Sequence, residues 1–248
     1  MKIGIIGFGS IGSYLAKQLG KEVSWVMDIS PQAAKRFKSS GLKCAFHTAI
    51  PAKCGGVDLV VEAASQKAVA QLVSCLRHCD IMIMSVGALA DDKLFSEILE
   101  TAKKHNRKIH IPSGAIGGTD AISSIGGKLK MVMLETTKPP RSLGRNDSKR
   151  TVIFEGSARE ACRLYPQNVN VSATLSLAGI GFEKTTVRIV SDPAAKANTH
   201  KIFARSEAGT MLLEFENLPS AANPKTSTLA LQSALRRIKK INETLQIG

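Results

Sequence analysis

The sequence predicts an α/β chain in two parts: a doubly covered parallel sheet, then an α+β domain with a mostly antiparallel sheet. Three observations predict it. Short apolar runs alternate with helix-like stretches from Lys2 to Ile111, the pattern of repeated strand–helix–strand units. Glycines cluster at the first strand-to-helix turn, in Gly7-Phe8-Gly9-Ser10-Ile11-Gly12. From Lys130 onward the apolar residues recur every second position instead, as in a sheet buried on one face.

The elements follow in order. Lys2–Ile6 is a strand that stops at glycine, and Ile11, Leu15 and Leu19 share one face of a helix over Ile11–Leu19. Glu22–Met27 is a strand closing on Asp28. Ser30 and Pro31 stand as N-cap and first helical residue of a basic helix through Phe37. Val57–Val61 reads as a buried parallel strand, and Ser65 caps a helix over Gln66–Arg77. Asp80–Val86 is the next buried strand. Asp91 and Asp92 open a helix that ends near His105 with Lys103 and Lys104, charges placed as the helix dipole prefers. Lys108–Ile111 is the last strand of this set.

Gly114–Gly127 is rich in glycine and small residues. The second part alternates at Val132 and Leu134, at Val187 and Ile189, and at Met211, Leu213 and Phe215. Glu207–Thr210 reads as a hairpin turn, and Ser157 caps a helix over Ala158–Leu164. Thr226–Leu245 reads as a helix whose stripe of Leu229, Leu231, Leu235 and Ile238 needs a core to enter. The expected division is residues 1–110 completed by 225–248, and residues 111–224 as the substrate, catalytic and dimerisation domain.

Composition excludes several classes. Of 248 residues, 44% are hydrophobic and 22% charged, which sets disorder aside. No apolar run approaches the roughly 18 residues of a membrane span, and Gly7 breaks the first run before a signal peptide forms. The five cysteines are odd in number and irregularly spaced, which fits reduced thiols and a cytoplasmic location. Cys75, His78 and Cys79 could share a helix face, but no second ligand cluster accompanies them, so no metal is expected. The net charge is +14. The cations are spread along the chain and aromatics are only 4%, so stacking platforms for nucleic acid are scarce. The charge fits a surface that attracts an anionic small molecule.

The glycine triplet is in the right context for a dinucleotide, with a strand before it, a helix after it and an acid ending the next strand. This is the Rossmann arrangement. Gly7 makes the tight turn, Gly9 admits the pyrophosphate, and Gly12 lets helix and strand pack. The N–H groups at Ser10 and Ile11 open the helix toward the phosphates. Asp28 stands where a ribose 2′-hydroxyl is bound, favouring NAD, although Ser30 beside it tolerates the 2′-phosphate of NADP. Ala64 and Ser65 after one strand, and Ser85, Val86 and Gly87 after another, leave room for ribose and nicotinamide. Among the histidines, His110 reads as a core or edge residue. His200 follows the polar stretch Lys196–Thr199 and is the candidate acid–base residue.

These segments are recognisable. GFGSIG, VVEAASQKAV (Val60–Val69), IPSGAIGGTDAI (Ile111–Ile122), TTKPP (Thr136–Pro140), VIFEGSAREA (Val152–Ala161), YPQNVNVSATLSLAG (Tyr165–Gly179), NTHKI (Asn198–Ile202) and NPKTS (Asn223–Ser227) resemble the L-aspartate dehydrogenase family along nearly the whole chain. The family is similar in fold to homoserine dehydrogenase and dihydrodipicolinate reductase, which do not share this set. The resemblance implies oxidation of L-aspartate to iminoaspartate with NAD or NADP. Iminoaspartate then hydrolyses to oxaloacetate and ammonia or feeds quinolinate and NAD synthesis. It implies His200 as the active-site histidine, Ala115 and Asn170 as cofactor contacts, and a homodimer. Thr137, Lys138 and Lys225 are the candidates for the two substrate carboxylates. Ser142–Arg150 (SLGRNDSKR) suggests no chemistry and reads as a loop over the site or an exposed one. The competing readings are a dehydrogenase of another amino acid such as homoserine, and a non-catalytic NAD sensor.

Overall fold

The computed structural model describes residues 1–166, 169–220 and 223–245, with side chains at all of these except 219 and 223–225. The chain divides into two compact units. One is Met1–Pro112 with Ala234–Asn242, and the other is built on Ser113–Ser233. The boundaries fall at Pro112 and inside the C-terminal helix, because the helix residues from Ala234 onward pack with the first unit's core.

In the first unit the order is β1 (Ile3–Ile6), α1 (Ser10–Leu19), β2 (Val23–Met27), α2 (Pro31–Lys38), β3 (Ala45–His47), β4 (Leu59–Glu62), α3 (Gln66–Val69), α4 (Leu72–Cys75), β5 (Asp80–Ile83), α5 (Asp92–Lys104) and β6 (Ile109–His110). The strands form one parallel sheet in the order β3-β2-β1-β4-β5-β6. From β1 the chain adds β2 on one side and β4 on the other. That reversal opens a crevice at the carboxyl ends of β1 and β4, where such sheets bind ligands. The core joins Ile3, Ile5, Leu15, Val26, Leu59, Val61 and Met82 to Ala234, Leu235 and Ile238 of the C-terminal helix. Each fully buried Leu or Ile contributes roughly 1.5–3 kcal/mol.

One local feature differs from the sequence reading. The helix expected over Gln66–Arg77 is two short pieces, α3 and α4, although Ala70 and Gln71 between them keep helical dihedrals. His47 ends the edge strand β3. Lys53, Cys54 and Gly55 form a left-handed turn, at φ 47, 53 and 63. Trp25 Nε1 holds it by donating to the Cys54 carbonyl at 2.9 Å. α5 begins as expected, with Asp91 accepting from the N–H groups of Lys93 and Leu94.

The second unit opens with α6 (Thr119–Ile125), inside the glycine-rich stretch, and β7 (Leu129–Lys138). β8 (Thr151–Ser157), α7 (Ala158–Leu164), α8 (Asn170–Ala178), β9 (Thr185–Ser191), β10 (Asn198–Ser206) and β11 (Gly209–Asn217) follow. β12 (Pro219–Ser220) pairs with β13 (Asn223–Ser227), which leads into α9 (Thr228–Lys240). The main sheet runs β11-β10-β7-β9-β8, antiparallel except for the parallel pair β7–β9. α7 starts with a full capping box, Ser157 and Glu160 each bonding the other's backbone N–H.

One face of the sheet is covered. Val132 and Leu134 of β7 and Ile202 and Ala204 of β10 pack with Ile122 of α6 and Leu175 of α8. The period of two carries Thr136 and His200 onto this covered side, while Met133, Phe203 and the 76% exposed Leu212 lie on the other. Within the segment 142–150 Arg145 pairs with Asp147 at 2.6 Å, and Arg150 anchors the segment's end to Glu135 at 2.9 Å.

Candidate functional site

In the first unit the site begins at the glycine loop. Gly7 has φ +95, and a Cβ there would sit 2.6 Å from the Ala63 carbonyl oxygen. Only glycine meets both demands. A Cβ on Gly12 would lie 1.9 Å from the Gly7 carbonyl oxygen, so α1 packs on the loop at backbone distance. Gly9 is different: nothing lies within 4 Å of its Cβ position. It is the N-cap of α1 and bonds no N–H through a side chain. Ser10 Oγ beside it is buried without a partner. An uncapped helix start, an open glycine and an orphaned hydroxyl fit a dinucleotide's pyrophosphate.

Asp28 closes β2 and faces the same loop. Its Oδ2 accepts from Phe8 N at 2.7 Å and its Oδ1 from Ser30 N at 2.8 Å. Each oxygen keeps a lone pair for a ribose hydroxyl. Arg36 of α2 donates to the Phe8 carbonyl at 3.1 Å, adding a cation at this end of the loop. Ile29, next to Asp28, is 79% exposed.

The loops after β4 and β5 are joined by a residue the sequence reading passed over. Glu62 is fully buried. Its Oε1 accepts from Ala64 N at 2.8 Å, Ser65 N at 2.9 Å and Ser85 Oγ at 2.9 Å, and its Oε2 accepts from Ser85 N at 2.9 Å. Burial pushes the carboxyl up, against four hydrogen bonds that favour its charged form. Ala64, Ser65 and Ser85 are thus brought together by one carboxylate. Val86 and Gly87 continue into a buried turn over Val86–Ala90.

In the second unit His200 is 4% exposed and stands opposite Thr136 across the β10–β7 pair. His200 Nδ1 lies 2.9 Å from Thr136 Oγ1. Lys138, two residues further along β7, falls on the same side. Burial brings its ammonium down to about 8. Burial first, and the Lys138 charge second, bring the His200 imidazole down to about 3. A neutral imidazole and a half-buried cation therefore share one corner of the sheet.

The other expected residues are placed as follows. Thr137 alternates to the opposite face from His200, opposite Thr199, so the structure does not bring it to the imidazole; Thr136 takes that place. Ala115 lies in the loop before α6, held by Asn217 Nδ2 donating to its carbonyl at 2.9 Å. Gly114 N donates to Ser233 Oγ at 2.8 Å in the same loop. Asn170 opens α8 and is exposed. Lys225 lies in β13, and its side chain falls outside the described residues. His110 is engaged by Arg237 at 3.1 Å and lies 3.8 Å from Asp80. Among the described residues no group of three or more His, Cys, Asp or Glu is arranged to hold a metal, and no helix is long and apolar enough to cross a membrane.

Glu62, Thr136 and Asn217 escaped the sequence reading. Thr136 carried a usable signal: it is two residues from Lys138 and in phase with Val132 and Leu134. Glu62 links its own following loop to Ser85, 23 residues on, and Asn217 reaches Ala115, 102 residues back, pairings that sequence spacing does not reveal.

A parallel sheet with an open glycine cradle at its reversal point, together with a second unit carrying a buried imidazole and a half-buried ammonium, defines an NAD(P)-dependent oxidoreductase. The comparisons agree. Residues 7–112 match the family model described as homoserine dehydrogenase, NAD binding domain, and residues 120–241 match the one described as aspartate dehydrogenase, C-terminal. The L-aspartate dehydrogenase of Methanosarcina acetivorans is 42% identical, over 100% of this chain and 99% of that protein. That of Methanocaldococcus jannaschii is also 42% identical, with the same coverage. The crystal structure of aspartate dehydrogenase from Thermotoga maritima superposes with TM-score 0.85 at 33% identity, covering 100% of this chain and 99% of that one. This chain belongs to the L-aspartate dehydrogenase family.

Proposed function

We propose that the chain oxidises L-aspartate to iminoaspartate, passing the Cα hydride to NAD or NADP. The observation that carries the chemistry is the buried His200 imidazole beside the Lys138 ammonium. The nicotinamide supplies the hydride acceptor. Lys138 pairs with a substrate carboxylate. His200 Nε2 takes the proton released when the substrate nitrogen becomes an imine, or takes one from the water that then attacks it. The balance is L-aspartate and NAD⁺ to iminoaspartate, NADH and H⁺. Water then gives oxaloacetate and ammonia.

In the free protein His200 is held down by burial and by Lys138. A carboxylate arriving at Lys138 offsets the second, smaller cause, while burial continues to hold the imidazole neutral. Gly9, Ser10, Ile11 and Asp28 hold the pyrophosphate and ribose, Ala64, Ser65, Ser85, Val86 and Gly87 line the crevice, and Ala115 and Asn170 contact the cofactor. Lys225 remains a candidate for the second carboxylate.

Five free cysteines support work in the cytoplasm. A homodimer is supported by the strip of Met133, Phe203 and Leu212, direct neighbours across three strands on the uncovered sheet face. The product fits a supply of iminoaspartate for NAD synthesis.

The test is reduction of NAD, followed by nicotinamide absorbance, with L-aspartate, D-aspartate, L-glutamate and L-homoserine in parallel. Reduction with L-aspartate alone is expected. Turnover of homoserine instead would move the chain to another substrate, and NADH binding without turnover of any of them would make it a sensor.

A further inference from the structure

His200 and Thr136 are direct partners on adjacent antiparallel strands, 4% and 3% exposed. The 2.9 Å contact between Nδ1 and Oγ1 is the ring's one hydrogen bond among the described residues. The covered face of β7 otherwise presents Val132 and Leu134 to the core. A hydroxyl buried on that face costs free energy unless it is bonded, and the bond it makes is to the histidine.

The two imidazole nitrogens are not equivalent, and the bond made by one sets the role of the other. With Nδ1 turned to Thr136, Nε2 is the nitrogen left for the substrate. Nε2 can take a proton only when the ring hydrogen sits on Nδ1, so Nδ1–H donates and Oγ1 accepts. We infer that Thr136 is a positioning residue for the reaction: its hydroxyl oxygen accepts from His200 Nδ1–H, fixes the ring's rotation and keeps the lone pair on Nε2. The inference rests on His200 being the proton-handling residue.

The choice of a hydroxyl has a physical sense. In the Ser-His-Asp arrangement a carboxylate orients the histidine and also stabilises its charged form. Threonine orients without adding a negative charge. The imidazole beside Lys138 therefore stays neutral and ready to accept.

The test uses the full chain with Thr136→Val, Thr136→Ser and His200→Ala, and Thr136→Val combined with His200→Ala. The valine variant keeps the shape and loses the bond. It is expected to lower kcat about 10–100-fold, the weight seen for partners that orient metal-bound histidines, with KM for NAD unchanged. Serine is expected to restore most of the loss. In the His200→Ala background valine should add no further loss, because both changes remove one device. Wild-type turnover in the valine variant, a serine variant as slow as valine, or losses that multiply would each overturn the inference. Should the valine variant fail to fold, ¹⁵N shifts of the His200 ring in the wild-type protein decide: a hydrogen on Nδ1 supports the assignment and one on Nε2 refutes it. If His200→Ala turns over normally, the reading of His200 itself fails. If it is slow while Thr136→Val is not, only the role of Thr136 fails.

Discussion

A Cβ on Gly12 would meet the Gly7 carbonyl oxygen at 1.9 Å, whereas one on Gly9 would meet nothing within 4 Å. Two alanine substitutions three residues apart should therefore fail differently. Gly12→Ala must push α1 off the loop and is expected to lower the melting temperature. Gly9→Ala is expected to fold with near-normal stability and to lose NADH affinity, since the added methyl occupies the pyrophosphate's approach. Thermal melts paired with NADH titrations check both. Equal NADH affinity in Gly9→Ala and wild type would remove the cradle from its assigned role.

Glu62 holds two loops by four accepted hydrogen bonds. In Glu62→Gln an amide N–H must face at least one backbone N–H. A buried donor left without a partner costs about 1–3 kcal/mol, so denaturant midpoints should fall accordingly. NADH affinity should weaken with them, because Ala64, Ser65 and Ser85 lose their common anchor. An unchanged midpoint would contradict the geometry.

His200→Ala is expected to lower turnover about 10²–10⁴-fold, the usual weight of general acid–base catalysis, with NADH binding retained. Stability carries a second signature. The folded imidazole sits at about 3, below its ordinary 6.5. Between those values the unfolded chain binds the proton and the folded chain does not. Stability therefore falls as pH is lowered from about 6.5 toward 3. His200→Asn should show a shallower fall over that window, measured by denaturant titration at several pH values. Parallel curves would show that the imidazole is not held neutral.

Lys138 sits at about 8, so it loses its charge just above neutrality. Succinate, a dicarboxylate without an amine, isolates this effect from titration of the substrate nitrogen. Its inhibition constant is expected to rise about tenfold per pH unit above 8, as a single titrating cation requires. Lys138→Met should weaken succinate below pH 8 and flatten the profile. A flat profile in the wild-type protein would place the carboxylate elsewhere.

Much of the first unit was legible in the sequence. Ile3–Ile6, Leu59–Glu62 and Asp80–Ile83 are apolar runs of the kind that only a doubly covered sheet buries, and the glycine spacing located the crevice. The second unit was less so. α8 was missed because polar Ser172, Thr174 and Ser176 are buried among its apolar residues, with Ser172 Oγ bonding Val169 O and Ser176 Oγ bonding Ser172 O. Such side chains satisfy themselves on the helix and leave no apolar stripe to read. α6 was hidden by surrounding glycines. The site divided in the same way. The segments offered His200, Thr137 and Lys138 as candidates, and the partner that faces His200 across the strand pair is the neighbouring Thr136. Only the strand register shows which of two adjacent threonines shares a face with the histidine, and a shift of one residue reverses the answer.

β7 occupies the middle of the second sheet, yet both of its partners come much later in the chain, β9 at Thr185–Ser191 and β10 at Asn198–Ser206. During synthesis it emerges with both edges unpaired and waits for them. Contacts over such separations form slowly. The Thr136–His200 contact is made by the same β7–β10 zipper, so it exists only once these two late-meeting strands have paired.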